Sequence, residues 1–300
     1  MSQMKKRFRT GLSILCLLPL AAMAREVSVE RKVAADANGE VVISNVSGSI
    51  DVRGWDRNEV QVTGRLGDAI ERLDVETSGG RTVIKVILPR GRSSGDADAD
   101  LDIQVPRGSR VEASVVSADL SSRGVLGQQR LKSVSGEITA DIAGDDSELR
   151  TVSGDLTIRG SGKPLRLRAS TISGDIDLTN AAGSVDVVTV SGGARLDLID
   201  ASDVRGRTTS GELEVRARLT RDGRVDVEGV SGEITLRVSA PDGFSAEIES
   251  FSGDIHGCLA GNVERVSKYG PGKRLNIRTV EAGARVRAKT MSGDVDICDR

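Results

Sequence analysis

A short motif, Thr-apolar-Ser-Gly-acidic-apolar, recurs along this 300-residue chain and constrains its fold more than any other feature. Its clearest copy runs from Thr171 to Leu178. Successive motif glycines are 18, 20, 18, 19, 21 and 21 residues apart from Gly136 to Gly253, and a last copy contains Gly293. A unit of about 20 residues cannot enclose a core by itself, so neighbouring units must stack on one another.

Each unit contains two stretches in which apolar and polar residues alternate with the period of a β-strand. Ile176–Leu178 and Val185–Val187 are examples, and residues 179–184 form the turn between them. No stretch has the pattern of a long helix. The sequence therefore predicts an all-β fold, a single-stranded β-solenoid (β-helix) with coils of about 18–21 residues. Each coil should advance by ~4.8 Å, the spacing of neighbouring strands.

Stacked coils place equivalent residues in columns. The apolar motif residues should point inward, and the glycines should occupy a corner where a positive φ is needed. The serine column beside the glycines can pass hydrogen bonds from coil to coil. These structural motif residues are Ser135, Gly136, Ser153, Gly154, Ser173, Gly174, Ser191, Gly192, Ser210, Gly211, Ser231, Gly232, Ser252, Gly253, Ser292 and Gly293.

An acidic column follows the corner and has two interpretations. It consists of Asp119, Glu137, Asp155, Asp175, Glu212, Glu233, Asp254 and Asp294. Carboxylates stacked ~4.8 Å apart repel one another, which would favour a strip of divalent cations. Alternatively, these side chains accept hydrogen bonds at the turn and spread into solvent. The glycine-rich signature of calcium-binding β-rolls is absent, so the second interpretation is favoured and no metal ligands are assigned.

The chain divides into three predicted parts. Residues 1–24 have a basic head, an apolar run from Gly11 to Leu20 and the cleavage site Ala22-Met23-Ala24, which together are typical of a secretory signal peptide. Residues 25–115 form an irregular β region, without a clean repeat, that caps or starts the solenoid. Residues 116–300 form the solenoid. After cleavage no membrane span is expected, since the apolar run is shorter than the ~20 residues that a bilayer core requires.

Composition excludes several function classes. Without the leader the chain has 38 basic and 44 acidic residues, a net charge of −6, so nucleic acid is not an expected partner. Aromatic residues make up 2% of the chain and histidine occurs once, which leaves few groups for a cofactor or stacking site. His256 lies in a column expected to face solvent, and Trp55 and Tyr269 have no reason to lie together. No catalytic or cofactor-binding residues are predicted.

Cys258 and Cys298 are the cysteines of the mature chain, and each lies five residues after a motif glycine. Gly253 and Gly293 are 40 residues apart, so the interval holds either two coils or one coil with an excursion. Two coils would separate the cysteines by about 9.6 Å, beyond the ~7 Å limit for a disulfide. An excursion, with residues 263–268 and 273–280 paired as a hairpin, would stack Gly293 on Gly253 and permit the bridge. We favour the hairpin and the disulfide over two free thiols.

The last motif ends three residues before the chain does. Little sequence is then left to cover the edge of the final coil, and unpaired strand edges promote further pairing. We expect either a folded-back segment that covers this edge or end-to-end self-association. The handedness of the solenoid does not follow from the sequence.

The repeat, the turn Val105-Pro106-Arg107-Gly108 and the segment Tyr269-Gly270-Pro271-Gly272 resemble the bacterial "putative adhesin" family, exported β-helix proteins of unassigned function. The resemblance covers nearly the whole mature chain. It implies a non-catalytic role in the cell envelope, as an adhesin-like binding or scaffolding module that is periplasmic or at the cell surface. Its expected partner is a protein or polysaccharide. The alternative is a polysaccharide-active β-helix enzyme, a lyase or hydrolase.

Overall fold

The computed structural model describes residues 27–91, 95–144, 146–259, 261–266, 270–279 and 283–299, and within them all regular structure is β. The all-β prediction is confirmed. No described segment is a helix of the length and apolarity that crossing a membrane requires. The predicted signal peptide, residues 1–24, lies outside the described residues. The strands are β1 (Val27–Ala34), β2 (Glu40–Trp55), β3 (Glu59–Leu66), β4 (Arg72–Ser78), β5 (Arg81–Ile87), β6 (Asp98–Pro106), β7 (Arg110–Arg123), β8 (Gln129–Lys132), β9 (Ile138–Ile142), β10 (Ser147–Arg150), β11 (Leu156–Gly160), β12 (Pro164–Thr171), β13 (Ile176–Ser191), β14 (Ala194–Ser210), β15 (Leu213–Ser231), β16 (Ile234–Ser239), β17 (Phe244–Ser250), β18 (Ile255–Gly257), β19 (Val263–Arg265), β20 (Lys273–Arg278), β21 (Ala284–Ser292) and β22 (Val295–Cys298).

The repeat units pair as two parallel ladders that meet at the motif corner. Ladder A consists of the segments that precede the corner, and its spatial order is β2, β7, β8, β10, β12, β13, β14, β15, β21 and β17. Ladder B consists of the segments that follow the corner, in the order β2, β7, β9, β11, β13, β14, β15, β16, β22 and β18. Strands such as β13 and β14 belong to both ladders because they bend between them. We call one segment of each ladder, joined at a corner, a rung.

The core is one continuous apolar cluster that extends through the rungs. The motif positions Ile138, Leu156 and Ile176 are at most 1% exposed, whereas the acidic residue before each of them is exposed. Burial of such a side chain contributes about 1.5–3 kcal/mol, so the repeated apolar column is a major source of stability. The column points inward as the sequence predicts.

The N-terminal end is regular and largely antiparallel. In the ladder B direction β2 pairs with β6, which continues into antiparallel β3 and β1. In the ladder A direction β2 pairs with β5, which continues into antiparallel β4. Residues 27–106 thus extend both ladders with ordered strands. The expectation of an irregular β region here is wrong, because alternating runs such as Val60–Val62 pair into the sheet although they lack the glycine motif.

The C-terminal rung is inserted between two rungs that precede it in the sequence. β21 pairs with β15 on one side and with β17 on the other, and β22 likewise lies between β16 and β18. The chain therefore leaves an open place after β16, forms the outermost rung with β17 and β18, and returns to fill the gap. The outer edge of β17 is covered by antiparallel β20, which pairs in turn with β19.

These observations overturn the predicted single-stranded β-solenoid. All 22 strands belong to one sheet, antiparallel strands flank the parallel ladders at both ends, and the rungs do not follow chain order. The repeat period shows which residues of the units are equivalent. It does not show which units lie next to each other in the sheet. The expectation that the last motif forms the end of the stack fails for the same reason. The domain division at residue 116 stays a prediction, and β7 crosses that position without a break.

The motif glycines are required by close approach more than by φ. A Cβ added at Gly136, Gly154 or Gly174 would lie under 3.0 Å from a backbone carbonyl oxygen of the preceding rung, although none of them has a left-handed φ. At some corners, such as Gly192 with a φ of 143°, both the close approach and the left-handed φ require glycine. The predicted positive φ is therefore wrong for much of the column, and any side chain would push adjacent rungs apart.

Candidate functional site: an apolar groove at the C-terminal end

A line of exposed apolar side chains follows the motif corner along the molecule. The residue before each motif serine is apolar in most rungs, and its exposure ranges from 37% at Val46 to 59% at Phe251 and Met291. Backbone bonds between rungs space these residues one strand apart: the amide of Ser153, for example, donates to the carbonyl of Val134. We call this line the corner stripe; in spatial order it contains Val46, Val116, Val134, Val152, Ile172, Val190, Thr209, Val230, Met291 and Phe251. Contiguous exposed apolar surface of this kind marks interaction sites.

The corner stripe becomes a groove at its C-terminal end. The β19–β20 hairpin stands beside the last rungs there, and it encloses with them a cavity of about 690 Å³. Val230, Phe251 and Met291 supply apolar surface from the stripe, and Val266 and Pro271 supply it from the hairpin. A volume of this size is within the range of small-molecule sites. We call this cavity the apolar groove.

Three buried threonine hydroxyls at the groove have no hydrogen-bond partner within the described chain. They belong to Thr189, Thr208 and Thr290, which are at most 5% exposed. An unpartnered buried hydroxyl is unfavourable by about 1–3 kcal/mol, so three at one site are unusual. Their oxygen atoms are shielded from solvent on the inward side of the corner and do not open into the groove.

A change of corner geometry explains two of these hydroxyls. In earlier rungs the hydroxyl three residues before the glycine accepts the glycine amide, as Thr151 Oγ1 accepts from Gly154 N at 3.0 Å. At Gly192 and Gly211 the amide donates instead to the serine carbonyl of the next rung, at 3.3 and 3.2 Å. Thr189 and Thr208, each three residues before one of these glycines, therefore lack the glycine amide as a hydrogen-bond donor. For Thr290 the structure gives no equivalent explanation.

The groove carries an excess of positive charge on an acidic protein. Arg207, Lys273, Arg274 and Lys289 contribute to its lining, against Glu228 and Glu249. Glu249 is shared by two cations: Lys289 Nζ lies 2.7 Å from it and Arg274 Nε donates to it at 2.8 Å. These two cations, the lysine first, hold the pKa of Glu249 below its ordinary value. Lys289 and Arg274 together carry one positive charge more than the single carboxylate that they share.

The predicted disulfide and the predicted hairpin are both present at the C-terminal end. Cys258 and Cys298 are bonded, with 4.9 Å between their Cα atoms, which is the spacing of neighbouring rungs. β19 and β20 form the antiparallel hairpin, although Tyr269 in its turn lies outside the described residues. Gly253 stacks on Gly293 as the favoured arrangement requires, but Gly293 also stacks on Gly232.

Four of the five aspartates of the acidic column, all except Asp254, accept a backbone hydrogen bond from the residues that the structure describes. Asp155 Oδ1 accepts from the amide of Asp175 at 2.8 Å, and Asp175 Oδ1 accepts from the amide of Gly193 at 2.7 Å. This agrees with the second interpretation of the column, in which the carboxylates accept hydrogen bonds at the turn. Nowhere in the described ranges do three or more His, Cys, Asp or Glu side chains gather so as to hold a metal ion.

The other residues singled out by the sequence lie apart from the groove. His256 is exposed on β18, and Trp55 lies at the opposite end of the molecule, where its indole donates to the carbonyl of Glu59 at 2.9 Å. The motif serines Ser135, Ser153 and Ser173 donate from their backbone amides to the neighbouring rung. Sequence reasoning missed the buried threonine column and the corner stripe. Both are visible in the motif as the first two residues of Thr-apolar-Ser-Gly.

Comparison with known proteins gives a family. A family model described as Toastrack DUF4097 matches residues 26–298. The chain belongs to this family. The resemblance to the putative-adhesin family drawn from the motif is confirmed by this match. No curated protein matches this Toastrack chain in sequence.

Solved structures similar to this Toastrack chain have low identity. A putative lipid binding protein from Parabacteroides distasonis has 13% identity and a TM-score of 0.42, covering 90% of this chain and 96% of its own. A putative adhesin from the same organism has 12% identity and a TM-score of 0.35, with coverage of 92% and 98%. A putative cell adhesion protein from Clostridium sporogenes has 12% identity and a TM-score of 0.27, with coverage of 92% and 100%. Similarity at this level transfers no ligand to this chain.

Proposed function

We propose that the protein is an exported, non-catalytic binding module of the cell envelope and that its apolar groove holds an anionic amphiphile. The acyl chain lies against Val230, Phe251 and Met291, and the acidic head group lies at Lys289 and Arg274. The observation that carries this proposal is the groove itself. It combines apolar walls with two cations, Lys289 and Arg274, that share the single carboxylate of Glu249.

Charge complementarity selects the class of ligand. A neutral hydrocarbon would leave Lys289 and Arg274 with one carboxylate between them, whereas a carboxylate or phosphate head supplies a further charge-assisted acceptor. A nucleotide is disfavoured because Phe251 is the only aromatic side chain among the described lining residues, which leaves a base little to stack on. The leader-like residues 1–24 and the disulfide support export, since disulfides persist in oxidising compartments.

Binding of a fluorescent polyene fatty acid to the mature chain tests the proposal. We expect saturable binding, and about tenfold weaker binding of the methyl ester, because the ester loses the charge-assisted contact of ~1.5 kcal/mol. Val230→Asp places a carboxylate in the groove and should abolish binding. Val134→Asp is the matched control, since Val134 is 44% exposed and Val230 47% exposed in the same stripe, five rungs apart.

Two outcomes would overturn the proposal. One is the absence of saturable binding by the wild-type chain. The other is an equal loss of affinity in Val230→Asp and Val134→Asp, which would show that the probe adheres along the whole stripe. Lys289→Gln separates the head-group contact from the acyl contact, because it should weaken the acid but leave the methyl ester unchanged.

A further inference from the structure

A second hollow, on the outer face of ladder A, is lined by four arginines. It has a volume of about 580 Å³ and lies at the opposite ends of the strands that form the apolar groove. Its charged lining is Arg224, Arg278, Arg285, Arg287 and Glu247, a net charge of +3 on a chain whose mature net charge is −6. We call this hollow the arginine basin. A concave cationic surface on an acidic protein raises the local concentration of anions.

The inserted rung creates this cluster. Because β21 lies between β15 and β17, Arg285 has Arg224 as its partner on one side and Ser245 on the other. Antiparallel β20 then sets Arg278 against Ser245. Arg224, Arg285 and Arg278 therefore lie in one row across four neighbouring strands, a length of about 14 Å at ~4.8 Å per strand.

Two of these arginines have no ion-pair partner. Arg224 pairs with Asp226 at 3.1 Å, and Arg287 lies 3.9 Å from Glu247. Arg278 and Arg285, both exposed, form no ion pair with any residue that the structure describes. Placing like charges on adjacent strands is unfavourable by about 1 kcal/mol in water. An anion bound between them would remove that repulsion.

We infer that the arginine basin binds an acidic polysaccharide through its carboxylates. Guanidinium groups bind carboxylates with two parallel hydrogen bonds, and a row of them suits a linear chain that carries anionic groups at intervals. Ser245 and Asn276 lie among the arginines and offer a hydroxyl and an amide to sugar hydroxyls. A nucleic acid is disfavoured, because none of the described lining residues is an aromatic side chain on which bases could stack.

Isothermal titration of the mature chain with a defined oligogalacturonate at low salt tests this site. We expect saturable binding that weakens with added salt, and none to the fully methyl-esterified oligomer. Arg278→Gln combined with Arg285→Gln should reduce the affinity at least tenfold, since each removes a charge-assisted contact. The matched control combines Arg110→Gln with Arg237→Gln, two exposed arginines outside the basin, which lowers the net charge equally.

Three results would overturn the inference. They are equal affinities for the basin variant and the control, undiminished binding of the esterified oligomer, and tighter binding of a single-stranded oligonucleotide of the same charge. The groove variant Val230→Asp should bind oligogalacturonate like the wild type. Failure at the groove and failure at the basin are thus distinguishable.

Discussion

The middle rungs and the C-terminal end are built from the same motif, yet they differ in what they leave exposed. From β9 to β16 each rung lies beside its neighbours in the sequence, and each corner repeats the same approach of glycine to carbonyl. At the C-terminal end the order changes, a hairpin is added and a disulfide closes the last rung. Both candidate binding sites lie at this end. Regular repetition stabilises the molecule, and the departures from it create recesses.

The largest expected effect is at the corner glycines of the middle rungs. Gly174→Ala should lower the free energy of unfolding by about 3 kcal/mol, because its Cβ would overlap the carbonyl of Gly154. Gly193→Ala, at the next corner, is the control: its nearest neighbour would lie at 3.5 Å, and we expect a change below about 0.5 kcal/mol. Urea unfolding followed by circular dichroism measures both. Equal effects would show that rung spacing does not demand glycine.

Loss of the disulfide should destabilise the C-terminal end and leave the middle rungs unchanged. Replacing Cys258 and Cys298 by serine opens a loop of 40 residues and should lower stability by about 2–4 kcal/mol. Hydrogen exchange should accelerate in β17 to β22 while β9 to β14 keep their protection. A reductant should reproduce the loss in the wild type and leave the variant unchanged. Uniform acceleration along the chain would remove the distinction between the two regions.

The shared carboxylate Glu249 gives the C-terminal end an acid-sensitive contact. Its pKa is lowered in the folded state from an ordinary value of 4.5, so its stabilisation is complete above that value. The contribution is lost as the pH falls below 4.5 through the lowered folded-state pKa. Glu249→Gln should cost about 1 kcal/mol at neutral pH and progressively less in acid.

Glu214 offers the same test in the middle rungs. Its pKa is also lowered, first by its hydrogen bond with Arg195, with Arg216 as a second partner. Thermal melts of Glu214→Gln and Glu249→Gln between neutral and acid pH should therefore have the same sign of pH dependence. A larger loss for either variant in acid than at neutral pH would contradict this assignment.

The smallest expected effect concerns the acidic column. Asp155→Ala removes the acceptor of the Asp175 amide and should cost about 0.5–1 kcal/mol. Glu233→Ala should cost less, because the carboxylate of Glu233 bonds only the nearby Thr235 hydroxyl, at 3.4 Å, in the structure described. Differential scanning calorimetry with and without calcium measures both variants. Stabilisation by calcium that disappears in Asp155→Ala would instead support a cation site.

Local sequence features predict the rungs but not their order. The motif in residues 171–178 identifies the buried column, the exposed acidic column and the corner, because these depend on contacts between equivalent residues. The position of β21 depends on its pairing with both β15 and β17, whose edges present the same motif as the other rungs. The spacing of Cys258 and Cys298 predicts that Gly293 stacks on Gly253. No local feature of the sequence indicates that Gly293 also stacks on Gly232.

The candidate sites were harder to predict for the same reason. Val230, Met291 and Phe251 occupy a position that looks like any other apolar residue of the motif until the corner geometry is known. Arg224 is 54 residues before Arg278, and it meets Arg278 and Arg285 only because a rung is inserted. Both sites depend on pairing between strands that are distant in sequence, and a repeat period does not predict such pairing.

The inserted rung also sets the order in which the molecule can be completed. In the middle rungs paired residues are about 20 positions apart, but Val225 pairs with Val286, so this contact waits for the last part of the chain. While the chain is synthesised from its N-terminus, β15 and β16 present an open edge until residues 284–298 follow. During that interval β17 and β18 have the same motif and compete for the vacant place. The native order therefore requires that β21 and β22, the last strands of the chain, fill that place and that β17 and β18 lie outside them.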